Sequence, residues 1–194
     1  MASRTNHIYE LSQLARTSKS STSSEPQEIE PWQRRESSLK FMTRTVACML
    51  DDQGYASSSI EGRVAVEYFD PDAAVQAKKY AFKCHRTADP EDHSVDVVYP
   101  VNALAFHPVH RSFASGGGDG LVALWDGLAK RRIRQYQKYP DAVAALSFSR
   151  DGKHLAVAVC PGLEDGREDY SAEGRTKIFV RELGDSEAKG KAKS

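Results

Sequence analysis

Several stretches of this 194-residue chain carry residue types that do chemistry elsewhere. Gly116-Gly117-Gly118-Asp119-Gly120 has the composition of a loop whose backbone amides cradle a phosphate. Such a loop must open onto a helix N-terminus, and residues 121–125 read instead as a strand. The stretch is therefore a tight strand-to-strand turn in which Asp119 accepts backbone hydrogen bonds, a role also expected of Asp151 one unit later. Cys84-His85 suggests a thiolate–imidazole pair, but neighbouring residues of a strand point to opposite faces, which leaves Cys84 a small buried residue. His107, Pro108 and His110 fall in a turn without the further ligands a metal requires. The three cysteines, Cys48, Cys84 and Cys160, lack the paired spacing of a zinc knuckle or disulfide framework. Trp125 could serve as a ligand platform; at the end of a central strand it reads as core packing. No enzyme, metal or cofactor is expected.

Two cations differ in kind from the rest. Arg63 follows Glu61-Gly62 and opens a strand whose Val64, Val66 and Tyr68 alternate with Ala65 and Glu67, which puts it at the strand's rim. Lys83 lies between Phe82 and Cys84, which should face the other way. On spacing alone each is an ordinary surface cation. Across the whole chain 27 basic and 27 acidic side chains cancel, which argues against a whole-surface phosphate binder though not against a local basic patch. The mean hydropathy of −0.56 is low because residues 15–38 and 182–194 are almost entirely polar, so the core must come from the middle. The longest apolar run, residues 155–160, is far shorter than the ~20 residues of a membrane span. No secretory stretch opens the chain, and a soluble protein of a reducing, intracellular compartment is expected.

The elements that position these residues repeat. Val101-Asn102-Ala103-Leu104-Ala105-Phe106 aligns with Val143-Ala144-Ala145-Leu146-Ser147-Phe148 at an offset of 42, and a third copy lies 57 residues upstream at 44–49. The extra length falls within residues 71–98, whose Pro-Asp-Ala-Ala-Val-Gln start suggests a helical turn capped by Asp70. In the middle unit, strands are expected at 101–106, 112–116, 121–125 and 131–137. Four strands per 40 to 45 residues, with Trp125-Asp126 closing the third, is the WD-repeat propeller signature. The units are then a partial blade at 1–40 with a Ser/Thr-rich loop at 15–31, and a blade at 41–98 with an inserted linker at 71–79. A blade at 99–138, a three-stranded blade at 139–183 and a disordered tail at 184–194 follow. Phosphorylation of the Ser/Thr run at 17–24 is the functional alternative to a plain disordered loop. The fold class is all-β: about three to three and a half blades of a propeller, open as an arc.

The strings Arg34-Arg35-Glu36-Ser37-Ser38-Leu39-Lys40, Ser59-Ile60-Glu61-Gly62-Arg63-Val64-Ala65, Phe82-Lys83-Cys84-His85-Arg86 and Tyr99-Pro100-Val101-Asn102 occur in order. From about residue 6 to 183 they resemble the C-terminal half of the spindle-checkpoint propeller family named budding uninhibited by benzimidazoles three. Residues 31–45 and 97–126 resemble its filamentous-fungal versions. The sister family, RNA export factors docking on nuclear pores, shares the second and third strings, while the first favours the checkpoint family. The resemblance implies a non-enzymatic adaptor with two binding tasks. It would hold GLEBS segments of Bub kinases and recognise phosphothreonine MELT repeats of the kinetochore scaffold. It places phosphate contacts on Arg63 and Lys83, with Arg63 also the position that meets acidic GLEBS residues. It implies location in the nucleus and at mitotic kinetochores, with the cytoplasm second, and no membrane or direct nucleic-acid partner. A seven-bladed family ring at 40 to 45 residues per blade needs about 300 residues. The resemblance therefore leaves the first three and a half blades, an aromatic peptide contact and the ring-closing strand outside this chain. A truncated fragment without function is the third reading.

Overall fold

The structure, a computed structural model, describes residues 4–20, 28–162 and 174–190. Strand β1 (Thr5–Ile8) leads into helix α1 (Leu11–Ser20), and β2 (Gln33–Glu36) then returns antiparallel to β1. The helix corrects the expectation of a loop from residue 15. Leu11, Gln13, Leu14, Ala15 and Arg16 are good helix formers, and the helix they start carries on through Thr17, whose hydroxyl bonds back to the Gln13 carbonyl at 3.1 Å. The rest of the proposed phosphorylation run, from residue 21, lies outside the described residues.

The first full blade comprises β3 (Thr43–Cys48), β4 (Gly54–Ser59), β5 (Arg63–Tyr68) and, after α2 (Ala73–Gln76), β6 (Tyr80–Lys83), paired in that order. The cap of α2 is Asp72, not Asp70. Pro71 delays the first helical residue to Ala73, so it is the Asp72 carboxylate that reaches the amides of Ala74 and Val75. Asp70 accepts instead from the Asp72 amide at 2.9 Å. A two-stranded hairpin that the sequence did not announce, β7 (Arg86–Ala88) with β8 (Asp96–Val98), takes up the rest of the extra length. The second blade pairs β9 (Val101–Phe106), β10 (Ser112–Gly117), β11 (Val122–Asp126) and β12 (Arg131–Gln135) in chain order, and the third pairs β13 (Ala142–Phe148), β14 (His154–Cys160) and β15 (Lys177–Glu182).

Each sheet buries one face against the next. Val64, Val66, Val101, Leu104 and Phe113 fill the first interface, and Val122, Leu124, Val143, Leu155, Val157 and Val159 the second. A fully buried side chain of this kind contributes about 1.5–3 kcal/mol, so these two layers hold the blades together. β9 packs against both β3 and β13, which makes the first strand of each blade the innermost and gives the blades an open, propeller-like arc. The β1–β2 pair docks on the first blade through polar contacts. Gln33 donates to the Phe69 carbonyl at 3.1 Å, Arg35 donates to the carbonyls of Tyr68 and Phe69, and Ser38 donates to Glu67 at 2.7 Å.

Residues 184–190 do not form the solvated tail expected from their composition. Leu183 and Ala188 are buried in the second interface, and the Tyr136 hydroxyl donates to Glu187 at 2.7 Å. A single turn of Asp185-Ser186-Glu187-Ala188 suffices to aim one apolar and one acidic side chain at the blade, a pattern too short to show as periodicity. Residues 191–194 lie outside the described residues.

Candidate functional site

Arg63 and Lys83 are brought face to face. In the β5–β6 ladder they are direct antiparallel partners, so their side chains leave the same face with Cβ atoms ~5 Å apart. Two like charges in this position repel each other, and the arrangement favours an anion between them. Arg63 is one-third exposed and its Nε donates to Glu61 at 2.8 Å, which fixes the guanidinium and leaves its outer nitrogens for a ligand. Lys83 is exposed, whereas Phe82 is half-buried and Cys84 buried on the other side.

The turn that carries Arg63 is held by the string that carries Lys83. Gly62 has φ +67°, and a Cβ there would collide with the Cys84 carbonyl, so only glycine fits. The Cys84 amide donates to the Gly62 carbonyl at 2.9 Å, and Arg86 donates to the carbonyls of Glu61 and Gly62 at 3.1 and 3.4 Å while pairing with Asp96 at 3.0 Å. Arg86 thus positions the Arg63 turn without facing a ligand itself.

Two residues after Lys83 a buried polar chain begins. His85 takes φ +46°, off the strand, so the opposite-face argument for Cys84 and His85 fails and both are buried. The His85 Nδ1–H donates to Asp119 at 2.9 Å, the Ser115 hydroxyl meets His85 Nε2 at 2.8 Å, and Trp125 Nε1–H donates to Ser115 at 2.8 Å. This order lets every proton find an acceptor. The connectivity is that of a Ser-His-acid triad, but Ser115 is wholly buried and already accepts from Trp125, so its oxygen cannot meet a substrate. The chain instead ties β6 to β10 and β11. Burial pushes the Cys84 thiol up to about 12, aided by the nearby Asp119 carboxylate, so Cys84 is no thiolate.

The remaining residues singled out in the sequence lie elsewhere. Asp119 also accepts from the Leu121 amide at 3.0 Å, and Asp126 accepts from Leu128 and Ala129 at 3.1 and 2.8 Å. The Trp125 ring packs tilted against Phe82, centroids 4.5 Å apart, besides its bond to Ser115. Asp151 accepts from Lys153 at 3.0 Å, but in the β13–β14 turn, whereas Asp119 serves the β10–β11 turn. The two therefore do one job at different corners of their blades. The Ser149 hydroxyl bonded to it holds the Asp151 carboxyl below its usual range. His107 is buried in its turn, bonded to the Gly152 carbonyl at 3.1 Å and accepting the amides of Val109 and His110. Among the described residues no group of three or more His, Cys, Asp or Glu could hold a metal. A cleft of about 220 Å³ lined by Met49, Leu50, Phe106 and Phe113 opens at the opposite ends of the strands, away from Arg63 and Lys83.

Residues 82–126 match the family model described as WD domain, G-beta repeat, a span that runs from Phe82 through the buried polar chain to Asp126. The chain is 54% identical over 164 residues to the mitotic checkpoint protein BUB3.1 of Arabidopsis thaliana, covering 84% of this chain and 46% of that protein. It is 46% identical over 151 residues to the mitotic checkpoint protein bub3 of Dictyostelium discoideum, covering 78% and 44%. The mRNA export factor GLE2 of Chaetomium thermophilum, from the sister family, is 38% identical over 151 residues, covering 77% and 41%. The chain spans a little under half the length of these relatives. With a WD-repeat sheet at its centre and its higher identities to checkpoint members, the chain belongs to the WD-repeat family of BUB3-type mitotic checkpoint proteins.

Proposed function

We propose that this chain contributes to a spindle-checkpoint adaptor whose Arg63 and Lys83 take the phosphate of a phosphothreonine MELT repeat, in an assembly that also holds a GLEBS segment of a Bub-type kinase. The observation that carries the reading is the direct cross-strand pairing of Arg63 with Lys83 on a clamped turn. A phosphothreonine brings about −1.5 to −2 charges and three acceptor oxygens. An Arg fork meets two of these together while a Lys supplies a point charge, and the phosphate relieves the repulsion between the two cations. The work is binding rather than catalysis, in the nucleus and at kinetochores. Titration calorimetry with a phosphorylated MELT peptide tests it: Arg63→Glu should abolish binding with the melting profile retained, and unchanged affinity would sink the phosphate assignment.

The second reading, an adaptor in messenger-RNA export at nuclear pores, is favoured by the relatives named export factors. Affinity capture separates the two. A checkpoint adaptor recovers a Bub kinase, whereas an export adaptor recovers a pore protein with its own GLEBS segment.

A further inference from the structure

The net charge of this chain is zero, yet one edge is strongly basic. Residues 127–140 contain Lys130, Arg131, Arg132, Arg134 and Lys138 and not one acidic residue. All five cations are exposed, and they lie on or beside β12, the outermost strand of the second blade. β12 itself spans Arg131–Gln135, about 17 Å at the strand rise of ~3.3 Å per residue, with Lys130 just before it and Lys138 three residues beyond it. The docked C-terminal turn adds to the basic edge. Gly190 packs so closely on the Asp126 carboxylate that no Cβ would fit, which brings the exposed Lys189 to the start of β12, where Asp126 pairs with Arg131.

Cations on an edge strand often serve only to discourage strand pairing, a task that one or two charges of either sign fulfil. This edge already has another device for it. Ile133 is an extra residue on β12, since Trp125 pairs with Arg132 and Leu124 with Arg134, and a bulge of this kind twists an edge away from partners. The same bulge argues against an acidic peptide adding itself as a further strand. What remains is recognition by side chains alone, by a surface in which three guanidinium groups suited to phosphate stand among the lysines. An anion row of fixed spacing and any sequence suits it, and the absence of an exposed aromatic residue between 127 and 138 argues against base stacking.

We propose that the β12 edge of the second blade is a sequence-independent contact surface for the phosphate backbone of duplex nucleic acid, separate from the Arg63–Lys83 site. Lys130 rests over the Tyr80 ring at 4.8 Å, Arg134 is paired with Glu187 at 3.1 Å and Arg132 donates to Gln135 at 2.6 Å, so the surface neutralises about three phosphates, fewer than its cations.

The test is fluorescence anisotropy of the full chain with a labelled 24-base-pair random-sequence DNA duplex at increasing salt. The expected dissociation constant is about 10⁻⁴ to 10⁻⁶ M near physiological salt, with log K falling against log salt at a slope of about −3, or −0.9 per phosphate. The wild-type slope needs no variant, so the proposal stays testable whatever a substitution does to folding. Replacing two exposed residues, Arg132→Gln with Lys138→Gln, should flatten the slope by about 1.8 and weaken binding on the order of tenfold or more at moderate salt. The control pair Arg150→Gln with Lys153→Gln removes equal charge from the β13–β14 turn and should leave the slope unchanged. No binding, a slope near zero, or equal loss in the control pair overturns the proposal. So does a polyglutamate of matched charge that binds as tightly through Arg132 and Lys138, since the partner would then be an acidic polypeptide.

Discussion

Asp119→Ala should be the most damaging single substitution in the buried chain that starts at His85. The carboxylate is 4% exposed and accepts from two donors, His85 Nδ1 at 2.9 Å and the Leu121 amide at 3.0 Å. Alanine leaves both donors buried without a partner. A hydrogen bond to a charged acceptor contributes about 1.5–3 kcal/mol, and two are lost together. An expected loss of about 4 kcal/mol is a large share of the roughly 5–15 kcal/mol that holds an ordinary domain folded. Equilibrium urea unfolding followed by tryptophan fluorescence reads it directly, because Trp125 is the far end of the same chain. With a slope of about 2 kcal/mol per molar, the midpoint should fall by about 2 M. Ser115→Ala, which strands Trp125 Nε1 and His85 Nε2, should cost less, about 1–3 kcal/mol. Because both variants act on His85, the double variant should depart from additivity by about 0.5 kcal/mol or more. A midpoint shift below about 0.5 M for Asp119→Ala, or strict additivity, would refute the picture of one connected network.

Arg86→Ala should weaken phosphopeptide binding several-fold while Arg63 and Lys83 remain in place, because the Glu61–Gly62 turn loses its clamp; an unchanged titration curve would remove Arg86 from its positioning role. Native Cys48, which is exposed, should react with a thiol reagent at pH 8, while Cys84, buried and pushed up to about 12, should react far more slowly, being both shielded and almost wholly protonated; equal rates by mass spectrometry would contradict its burial. Burial holds the His107 imidazole below its usual value of 6.5, so the unfolded chain takes up the proton first. The stability His107 contributes is therefore present above about pH 6.5 and is lost as the pH falls through its folded value. The melting temperature should drop on acidification more steeply for the wild type than for His107→Gln, and parallel pH profiles would show otherwise.

Much of the architecture was legible because β-blades advertise themselves locally. The 42-residue period places β9 and β13 by their apolar strings, and turn residues such as Asp119 and Asp126 mark the corners. Contacts that join residues distant in sequence were not legible. The bonds that join His85, Ser115, Asp119 and Trp125 span 10 to 34 positions, and the positive φ of His85, which breaks the alternation of β6, has no residue signature of its own. A histidine some 30 residues ahead of a Gly-rich, Asp-containing turn and a closing Trp-Asp pair was the available clue. Arg86 reads as one more surface cation until the Glu61–Gly62 carbonyls are seen beside it. Helix α1 and the docked turn at 184–190 escaped for a different reason: both are mainly polar, no described side chain of α1 is fully buried, and the turn buries only Ala188.

The central claim is that Arg63 and Lys83 form one phosphate site. Calorimetric titration of the wild type, Arg63→Ala, Lys83→Ala and the double variant, each with a MELT peptide in phosphorylated and unphosphorylated form, tests it most directly. The account predicts that phosphorylation strengthens wild-type binding, that each single variant loses about 1.5–3 kcal/mol of that gain, and that the double variant binds both peptides alike. A phosphorylation gain that survives in the double variant would contradict it.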